Sequence, residues 1–370
     1  MGAEDGSGER GAPGDAADDR PAALVPEDPD VAATVDDLVA GVLAGEDRAL
    51  ARAISRIEDR APGYRALAGR LHRAASGAPV LGVTGAPGSG KSTLVESLAR
   101  SWAADGETVG VVAVDPSSPY SGGAVLGDRV RMLDLEDVFV RSMGARGALG
   151  GLAAATADAV TAMDAAGVDR IVVETVGAGQ NEVDVVRTAD TVAVLVPPDS
   201  GDEVQLLKAG LLEVGDLFVV NKADLPGADR TVADLETMLA ERAHAGDAVG
   251  SSTPDDVWEP RVLETVATAD EGVTALRDAV EAHLAHLEAS GARARRRRDR
   301  HAATVRDLLR ADAGRRIEES LLGADGVETV AERVAAGEMD PYAAVDALLA
   351  PLEDCLGEVD TGELPDLEGE

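Results

Sequence analysis

The sequence predicts an α/β fold in which a mostly parallel central sheet is flanked by helices. Short, continuous runs of Val, Ile and Leu alternate with helical stretches between Pro79 and about Ser290. Such runs are typical of strands that are buried on both faces, as in parallel sheets. The candidate strands are Val80–Thr84, Thr108–Val114, Val138–Arg141, Arg170–Glu174, Thr191–Val196, Leu217–Asn221 and Val262–Thr265. Reactive side chains are expected at the carboxyl ends of these strands.

Helical extensions are predicted before and after the α/β domain in the sequence. Apolar residues recur at helical spacing before Pro79, in two segments broken near Ala61-Pro62-Gly63, and again over Ala303–Leu322, Val327–Ala336 and Pro341–Leu352. The predicted parts of the chain are an acidic disordered tail (1–30), a helical N-terminal extension (31–77), the α/β domain (78–289), a helical C-terminal arm (290–355) and a second acidic tail (356–370).

The composition is strongly acidic, with 69 Asp and Glu against 34 Lys and Arg and a formal net charge of −35. A nucleic-acid partner is disfavoured because its phosphates would be repelled. The arginine run from Arg293 to Arg300 is better explained as a solvated helix start or as a partner of acidic surface. Self-repulsion is weaker in concentrated salt, so the composition indicates a salt-rich cytoplasm, as in halophilic archaea. A merely acidic mesophilic protein is the alternative.

The chain shows no sign of export or membrane insertion. No apolar run approaches the roughly 18 residues that span a bilayer, and the acidic N-terminus does not resemble a signal peptide. A single cysteine, Cys355, excludes an intramolecular disulfide and a multi-cysteine metal site. We therefore expect a cytoplasmic protein.

A glycine-rich segment follows the first candidate strand and precedes the helical run Thr93–Trp102. It fits the P-loop pattern G-x-x-x-x-G-K-[ST], in which backbone N–H groups and a helix N-terminus hold phosphates. Lys91 would reach the β- and γ-phosphates and Ser92 would bind Mg²⁺. The chain has only three lysines, Lys91, Lys208 and Lys222, so a chance match is improbable. The expected phosphate-binding residues are Gly85, Ala86, Pro87, Gly88, Ser89, Gly90, Lys91, Ser92 and Thr93.

A second motif, Asn221-Lys222-Ala223-Asp224, follows another apolar strand. N-K-x-D reads guanine: the Asp224 carboxylate can accept from both N1–H and the exocyclic amine, and adenine offers neither donor. Binding ATP would leave a desolvated carboxylate unpaired, which costs about 1–3 kcal/mol or more. Lys222 would pack along the base, and Asn221 would tie this loop to the P-loop. GTP and GDP are the expected ligands.

Three acidic residues are candidates for a Mg²⁺ site, since Mg²⁺ prefers hard oxygen ligands. Glu174 ends a candidate strand and would contact the metal through water, and Gly177 follows at the position whose N–H senses the γ-phosphate. Asp115 and Asp128 lie in the predicted switch region, and Asp128 is slightly favoured as the direct ligand. Each acid could instead be a turn, a cap or an exposed strand end.

Together these motifs resemble those of the MeaB/ArgK-type GTPases. They are G-A-P-G-S-G-K-S, V-D-P-S-S, G-G-x-x-L-G-D-R-x-R-M (Gly122–Met132), R-G-x-L-G-G (Arg146–Gly151), E-T-V-G-x-G-Q-x-E (Glu174–Glu182) and N-K-A-D, in the family's order. The resemblance implies a GTPase that protects methylmalonyl-CoA mutase and gates its loading with adenosylcobalamin. It also implies a homodimer joined through the C-terminal arm. By the same analogy Asp115, Asp128 and Glu174 are the Mg²⁺-site acids, and Gln180 lies in the switch segment.

Two departures from related sequences concern the nucleotide. Where relatives read T-S-A, this chain reads Thr265-Val266-Ala267, and the Ala267 N–H would contact guanine O6. No glutamine directly follows Gly177, so slow intrinsic hydrolysis is expected, with Gln180 as a weak candidate for orienting water.

Two other functions fit a P-loop. A nickel-insertion GTPase would need a His/Cys cluster, but the chain has five histidines and one cysteine, and His283 and His286 alone do not make a carrier site. A P-loop kinase linked to amino-acid transport is opposed by the guanine motif and by the lack of a recognisable acceptor site. The sequence does not separate methylmalonyl-CoA mutase from isobutyryl-CoA or ethylmalonyl-CoA mutases as the client.

Overall fold

The structure, a computed structural model, describes Pro26 and residues 28–115, 137–144, 151–175, 188–198, 211–247, 258–317 and 326–357. The chain divides into two compact units at the bond between Arg300 and His301. Among the helices of the described ranges, none is both long and apolar enough to cross a membrane.

The first unit is built on one sheet of seven strands. They are β1 Val80–Gly85, β2 Val109–Asp115, β3 Val138–Gly144, β4 Arg170–Thr175, β5 Thr191–Val196, β6 Leu217–Asn221 and β7 Arg261–Thr265. Their order is β3-β2-β4-β1-β5-β6-β7, and every neighbouring pair is parallel. The predicted α/β class is confirmed. β3 extends to Gly144 rather than ending at Arg141, because β2 pairs with it as far as Asp115 despite its polar residues.

Helices cover both faces of the sheet. In the described ranges the helices of the chain are α1 Pro29–Leu43, α2 Asp47–Glu58, α3 Tyr64–Ala74, α4 Lys91–Ala104, α5 Gly151–Ala165, α6 Leu212–Val214, α7 Ala228–Asp247, α8 Val273–Ala289, α9 Ala292–Ile317, α10 Gly326–Ala335 and α11 Pro341–Gly357, of which α4, α5, α7 and α8 pack on the sheet. Alternate strand residues point to opposite faces. In β1, Leu81 and Val83 therefore join a core with α4 and α8, whereas Val80 joins the core on the other face.

The N-terminal extension consists of three helices, not the two predicted segments. The missed break lies between Leu43 and Asp47, where Gly45 adopts a φ of 74° and ends α1. The three helices pack together and onto α5, which covers β2, β3 and β4. An ion pair fixes this layer to the sheet, since Arg141 Nη2 of β3 lies 2.7 Å from Glu58 Oε2 of α2.

Helices α10 and α11 belong to the second unit, and α9 crosses into it. The Asp340 side chain caps α11 by accepting from the amides of Tyr342 and Ala343 at 2.9 and 3.0 Å. Helix α9 begins at Ala292, so it includes the arginine run interpreted as a helix start as well as the apolar pattern that begins at Ala303. Its first turns are almost entirely charged and therefore show no apolar periodicity.

Candidate nucleotide-binding site

The carboxyl ends of β1, β4, β6 and β7 bring the sequence motifs together at one edge of the sheet. β1 lies between β4 and β5, at the centre of the strand order. In the register, Val83 of β1 lies beside Glu174 of β4, and Asn221 of β6 lies beside Thr265 of β7. This edge at the centre of a doubly wound sheet is where such folds bind nucleotides.

The P-loop backbone adopts conformations that favour glycine. Gly85 has a φ of 138° and Gly90 a φ of 92°. A Cβ on Gly85 would lie 2.1 Å from the carbonyl oxygen of Leu195, and one on Gly90 would lie 2.3 Å from Asn221 Nδ2. Helix α4 begins directly after Gly90, and none of the described side chains caps it. Its first-turn N–H groups thus form the uncapped helix end that suits a phosphate.

The predicted phosphate-binding lysine is held over the loop. Lys91 is only 6% exposed, and its Nζ donates to the carbonyl oxygens of Gly85 and Ala86, both at 2.8 Å. A compact ammonium with three donors can bridge two carbonyls in this way and can exchange such a bond for a phosphate oxygen.

Two of the predicted metal ligands are in direct contact. Ser92 Oγ donates to Glu174 Oε1 at 2.6 Å, and Glu174 is 8% exposed. A hydroxyl and a carboxylate at the start of the phosphate-binding helix are the hard oxygen donors that Mg²⁺ accepts. Of the other candidates, Asp115 ends β2, although its side chain is not described. Asp128, together with Gly177 and Gln180, lies outside the described residues.

Asn221 joins three parts of the site. Its side chain is buried, with 2% exposed, and its Nδ2 donates to the carbonyl oxygen of Ser89 at 2.8 Å. Its Oδ1 accepts from Thr265 Oγ1 at 3.0 Å and from the amide of Ala267 at 3.2 Å. The predicted tie between this motif and the P-loop is therefore present, and it extends to the loop after β7.

The rest of the N-K-x-D motif lies at the surface. Lys222 has a φ of 63°, and its Nζ donates to the carbonyl oxygen of Gly88 at 2.8 Å. Asp224 is exposed, so its carboxylate is accessible to a base. Consecutive residues, Asn221 and Lys222, thus hold the P-loop at two carbonyls, and the exposed carboxylate follows two positions later.

The loop after β7 is held more firmly than the sequence indicates. The Ala267 amide is predicted to contact guanine O6, but in the structure it donates to Asn221 Oδ1. When guanine binds, O6 would either share this N–H with Asn221 Oδ1 or replace Asn221 Oδ1 as its acceptor. The carbonyl oxygen of Ala267 accepts from Ser97 Oγ at 2.9 Å. Ser97 was not predicted. Its only sequence signal is a hydroxyl on a helix face shared with the buried residues Leu94 and Leu98.

The opposite, amino edge of the sheet carries a second set of charges, here named the amino-edge cluster: Asp190, Asp216, His283, Arg293, Arg296 and Arg300. The two acids directly precede β5 and β6 and are 1% and 7% exposed. Arg300 Nη2 lies 2.7 Å from Asp190 Oδ1, and Arg296 Nη2 lies 3.0 Å from Asp216 Oδ1. The arginine run thus pairs with acids, as predicted, but these acids are buried rather than on the surface.

A fully buried histidine completes the amino-edge cluster. The Nδ1 of His283 lies 2.8 Å from Thr191 Oγ1, and its ring packs 4.7 Å from that of Trp258. Burial lowers the pKa of His283 to about 4, outweighing the opposite effect of Asp216. His283 therefore serves as a neutral core residue. In the described part of the chain, no three His, Cys, Asp or Glu side chains are grouped as a metal site requires.

A parallel sheet, a P-loop and an N-K-x-D element that grips it define a P-loop GTPase. The chain matches the family of methylmalonyl Co-A mutase-associated GTPase MeaB over residues 50–320. It therefore belongs to that family, which confirms both the resemblance and the GTPase activity predicted from the sequence.

Individual relatives agree with this assignment. A Pyrococcus abyssi protein named as a GTPase is 41% identical over 318 residues, covering 85% of this chain and 96% of its own. The mouse methylmalonic aciduria type A homolog, a mitochondrial protein, is 31% identical over 332 residues, covering 85% and 79%. A crystal structure described as an LAO/AO transport system kinase is 26% identical, with a TM-score of 0.59, covering 87% of this chain and 98% of its own.

Proposed function

We propose that this GTPase is a chaperone that protects methylmalonyl-CoA mutase, or a related adenosylcobalamin-dependent acyl-CoA mutase, and gates the loading of its cofactor. The match to a family described as mutase-associated, over residues 50–320, carries this proposal. The mouse relative, whose name refers to methylmalonic aciduria, supports it over 85% of this chain.

The nucleotide would lie along the carboxyl edge of the sheet. Its phosphates would contact the P-loop amides and Lys91, whose ammonium is already held among loop carbonyls. Its guanine would be read by Asp224, the exposed carboxylate of the N-K-x-D motif, with the Ala267 amide facing O6. Because adenine cannot donate to that carboxylate, GTP and GDP would be preferred over ATP.

Mg²⁺ would be held by Ser92 and by the acids Glu174, Asp115 and Asp128. The direct Ser92–Glu174 contact of 2.6 Å supports the first two assignments. When bound, the metal would neutralise phosphate charge. Ser92 and Glu174 would keep their oxygens oriented toward it through the helix start and the end of β4.

Hydrolysis would proceed by in-line attack of water on the γ-phosphate, with catalysis from positioning and charge neutralisation. Lys91 and the P-loop amides would stabilise the charge that develops on the phosphate oxygens. Gly177 would sense the γ-phosphate through its N–H, and Gln180 would orient the water. Without a glutamine directly after Gly177, intrinsic turnover would be slow and would increase when the client is bound.

The protein would act in the cytoplasm as a homodimer joined through the C-terminal arm. The acidic composition would suit molar salt, where charges on the surface are screened within about 3 Å. A salt-rich cytoplasm is therefore the proposed setting.

The decisive experiment measures GTP turnover in molar KCl with and without methylmalonyl-CoA mutase from the same organism, with ATP as the control substrate. We expect slow GTP hydrolysis that accelerates with the mutase, and little hydrolysis of ATP. The Lys91→Ala variant should lose about 100-fold or more in turnover, because it loses a donor to the developing charge. Turnover unchanged by the mutase would refute this client, and Lys91→Ala turning over like the wild type would refute the mechanism.

The same assay separates the client mutases and the kinase alternative. If only an isobutyryl-CoA or ethylmalonyl-CoA mutase accelerates GTP hydrolysis, that mutase is the client. Stable transfer of radiolabelled γ-phosphate to an acceptor, in place of release as inorganic phosphate, would indicate a kinase.

A further inference from the structure

The loop that follows β7 is a closed unit whose orientation depends on a few tethers. The amide of Val266 donates to the carbonyl oxygen of Glu271 at 3.0 Å, and the amide of Glu271 donates back at 3.3 Å. Gly272 closes the loop with a φ of 76°, and a Cβ there would lie 2.2 Å from the carbonyl oxygen of Glu264. The loop is therefore internally fixed, and what matters for a ligand is how it is attached to the rest of the site.

Two side chains attach this loop at one residue, Ala267. Asn221 accepts its N–H at 3.2 Å, and Ser97 donates to its carbonyl oxygen at 2.9 Å. Both side chains are buried, with 2% and 4% exposed, and so is Ala267, with 5% exposed. A third tether, between Arg100 and Asp270 at 3.5 Å, joins side chains that are 45% and 61% exposed. Exposed ion pairs contribute little, so among these three tethers Asn221 and Ser97 contribute most to the orientation of the loop.

Ser97 connects this loop to the phosphate side of the site. It lies on α4, the helix that begins with Lys91 and Ser92. At a rise of about 1.5 Å per residue, Ser97 is roughly 9 Å along the helix axis from Lys91. One rigid helix thus carries the phosphate-binding end and the hydroxyl that holds the loop predicted to face guanine O6. The spacing between the two subsites is set by this helix.

We infer that Ser97 is a positioning residue for guanine selectivity. Its hydroxyl holds the Ala267 peptide where the loop can meet the O6 edge of the base, and it touches neither phosphate nor base itself. The neighbouring residue, Val266, has no side-chain hydroxyl that could hold the loop, which makes the tether from α4 more important. This inference rests on the proposed guanine site.

The test compares Ser97→Ala, which removes the hydroxyl, with Ser97→Thr, which keeps it. The matched control is Ser101→Ala on the same helix, whose Oγ accepts from Arg277 Nη1 at 2.8 Å and is not bonded to the loop. The measurements are the Kd values for GDP, IDP and ADP, the KM and kcat for GTP, and thermal unfolding of each variant. IDP keeps O6 but lacks the exocyclic amine, and ADP lacks O6.

Ser97→Ala should raise the Kd for GDP and IDP alike, by roughly 5- to 20-fold, because a buried carbonyl loses its donor and the loop shifts. The Kd for ADP and the kcat at saturating GTP should change by less than about twofold, since no phosphate contact is lost. Ser97→Thr should restore most of the affinity, and Ser101→Ala should bind GDP like the wild type.

Two results would overturn the role of Ser97: GDP affinity unchanged in Ser97→Ala, or an equal loss for ADP and GDP, which would indicate a general effect on the fold or the phosphate site. A wild-type protein that binds ADP as tightly as GDP would instead refute the guanine site itself, whatever the Ser97 variants do.

Discussion

Removing the carboxylate of Asp216 should destabilise the fold through the amino-edge cluster. Asp216 is 7% exposed; its Oδ2 accepts from the amide of Val192 at 2.9 Å, and Arg296 Nη2 donates to its Oδ1 at 3.0 Å. Truncating one partner of a buried pair costs about 3–5 kcal/mol. Arg296 is 39% exposed and can regain water, so the lower part of that range applies. We expect Asp216→Ala to lower the free energy of unfolding by about 3 kcal/mol.

The salt dependence distinguishes this buried pair from a surface one. The control is Asp307→Ala on α9, which removes a pair with Arg310 whose side chains are 48% and 75% exposed. That pair should contribute at most about 0.5 kcal/mol, and less in molar salt. The Asp216→Ala loss should persist in 2 M KCl, because buried pairs are screened much less than exposed ones.

The assay is denaturant unfolding of the full chain in urea at 0.1 and 2 M KCl, monitored by circular dichroism. A double-mutant cycle with Arg296→Ala isolates the pair itself. An Asp216→Ala loss below about 1 kcal/mol, or one that disappears in 2 M KCl, would show that the amino-edge cluster does not behave as a buried network.

Two further changes test other parts of the structure. Gly90→Ala should lower GDP affinity by well over tenfold, because its Cβ would lie 2.3 Å from Asn221 Nδ2. The control is Gly106→Ala, which is also at a positive φ but has open space around its Cβ and lies outside the P-loop, and equal losses of GDP affinity would contradict the argument. The pKa of His283 is lowered from 6.5 to about 4, so the unfolded chain binds a proton in this window that the folded chain does not. Stability should therefore fall as the pH decreases from about 6.5 to 4, by up to roughly 3 kcal/mol more in the wild type than in His283→Asn, as urea titrations at each pH would show.

The strands could be predicted because burial on both faces leaves a direct signal, an unbroken aliphatic run. The position of the site could then be predicted from the strands, since parallel strands place their carboxyl ends at one edge of the sheet. Asn221 and Glu174 were located correctly at strand ends because a polar residue directly after such a run has few other places to lie.

Other features depend on contacts between segments far apart in the chain, which local patterns do not contain. Ser97 and Ala267 are 170 positions apart, and nothing near Ser97 distinguishes it from an ordinary helix serine. In the sequence, Asp190 and Asp216 directly precede strands, a position that is typical of ordinary turn residues. Only the structure shows that the first turns of α9 return to these strand starts and pair with the two buried acids.

Lysine and arginine play different roles at the carboxyl and amino edges of the sheet. Lys91 and Lys222, two of three lysines in the chain, both donate to P-loop carbonyls. A single ammonium on a flexible stem can give up such a bond when a phosphate arrives, whereas a planar guanidinium is suited to fixed, two-point pairing. Two-point pairing of this kind is found at the amino edge. Arg296 contacts both carboxylate oxygens of Asp216, and Arg300 pairs with Asp190 while also donating to the carbonyl oxygen of Ala189. Lys91 and Lys222 are therefore suited to exchanging a carbonyl for a ligand, whereas Arg296 and Arg300 are suited to fixed pairing with buried acids.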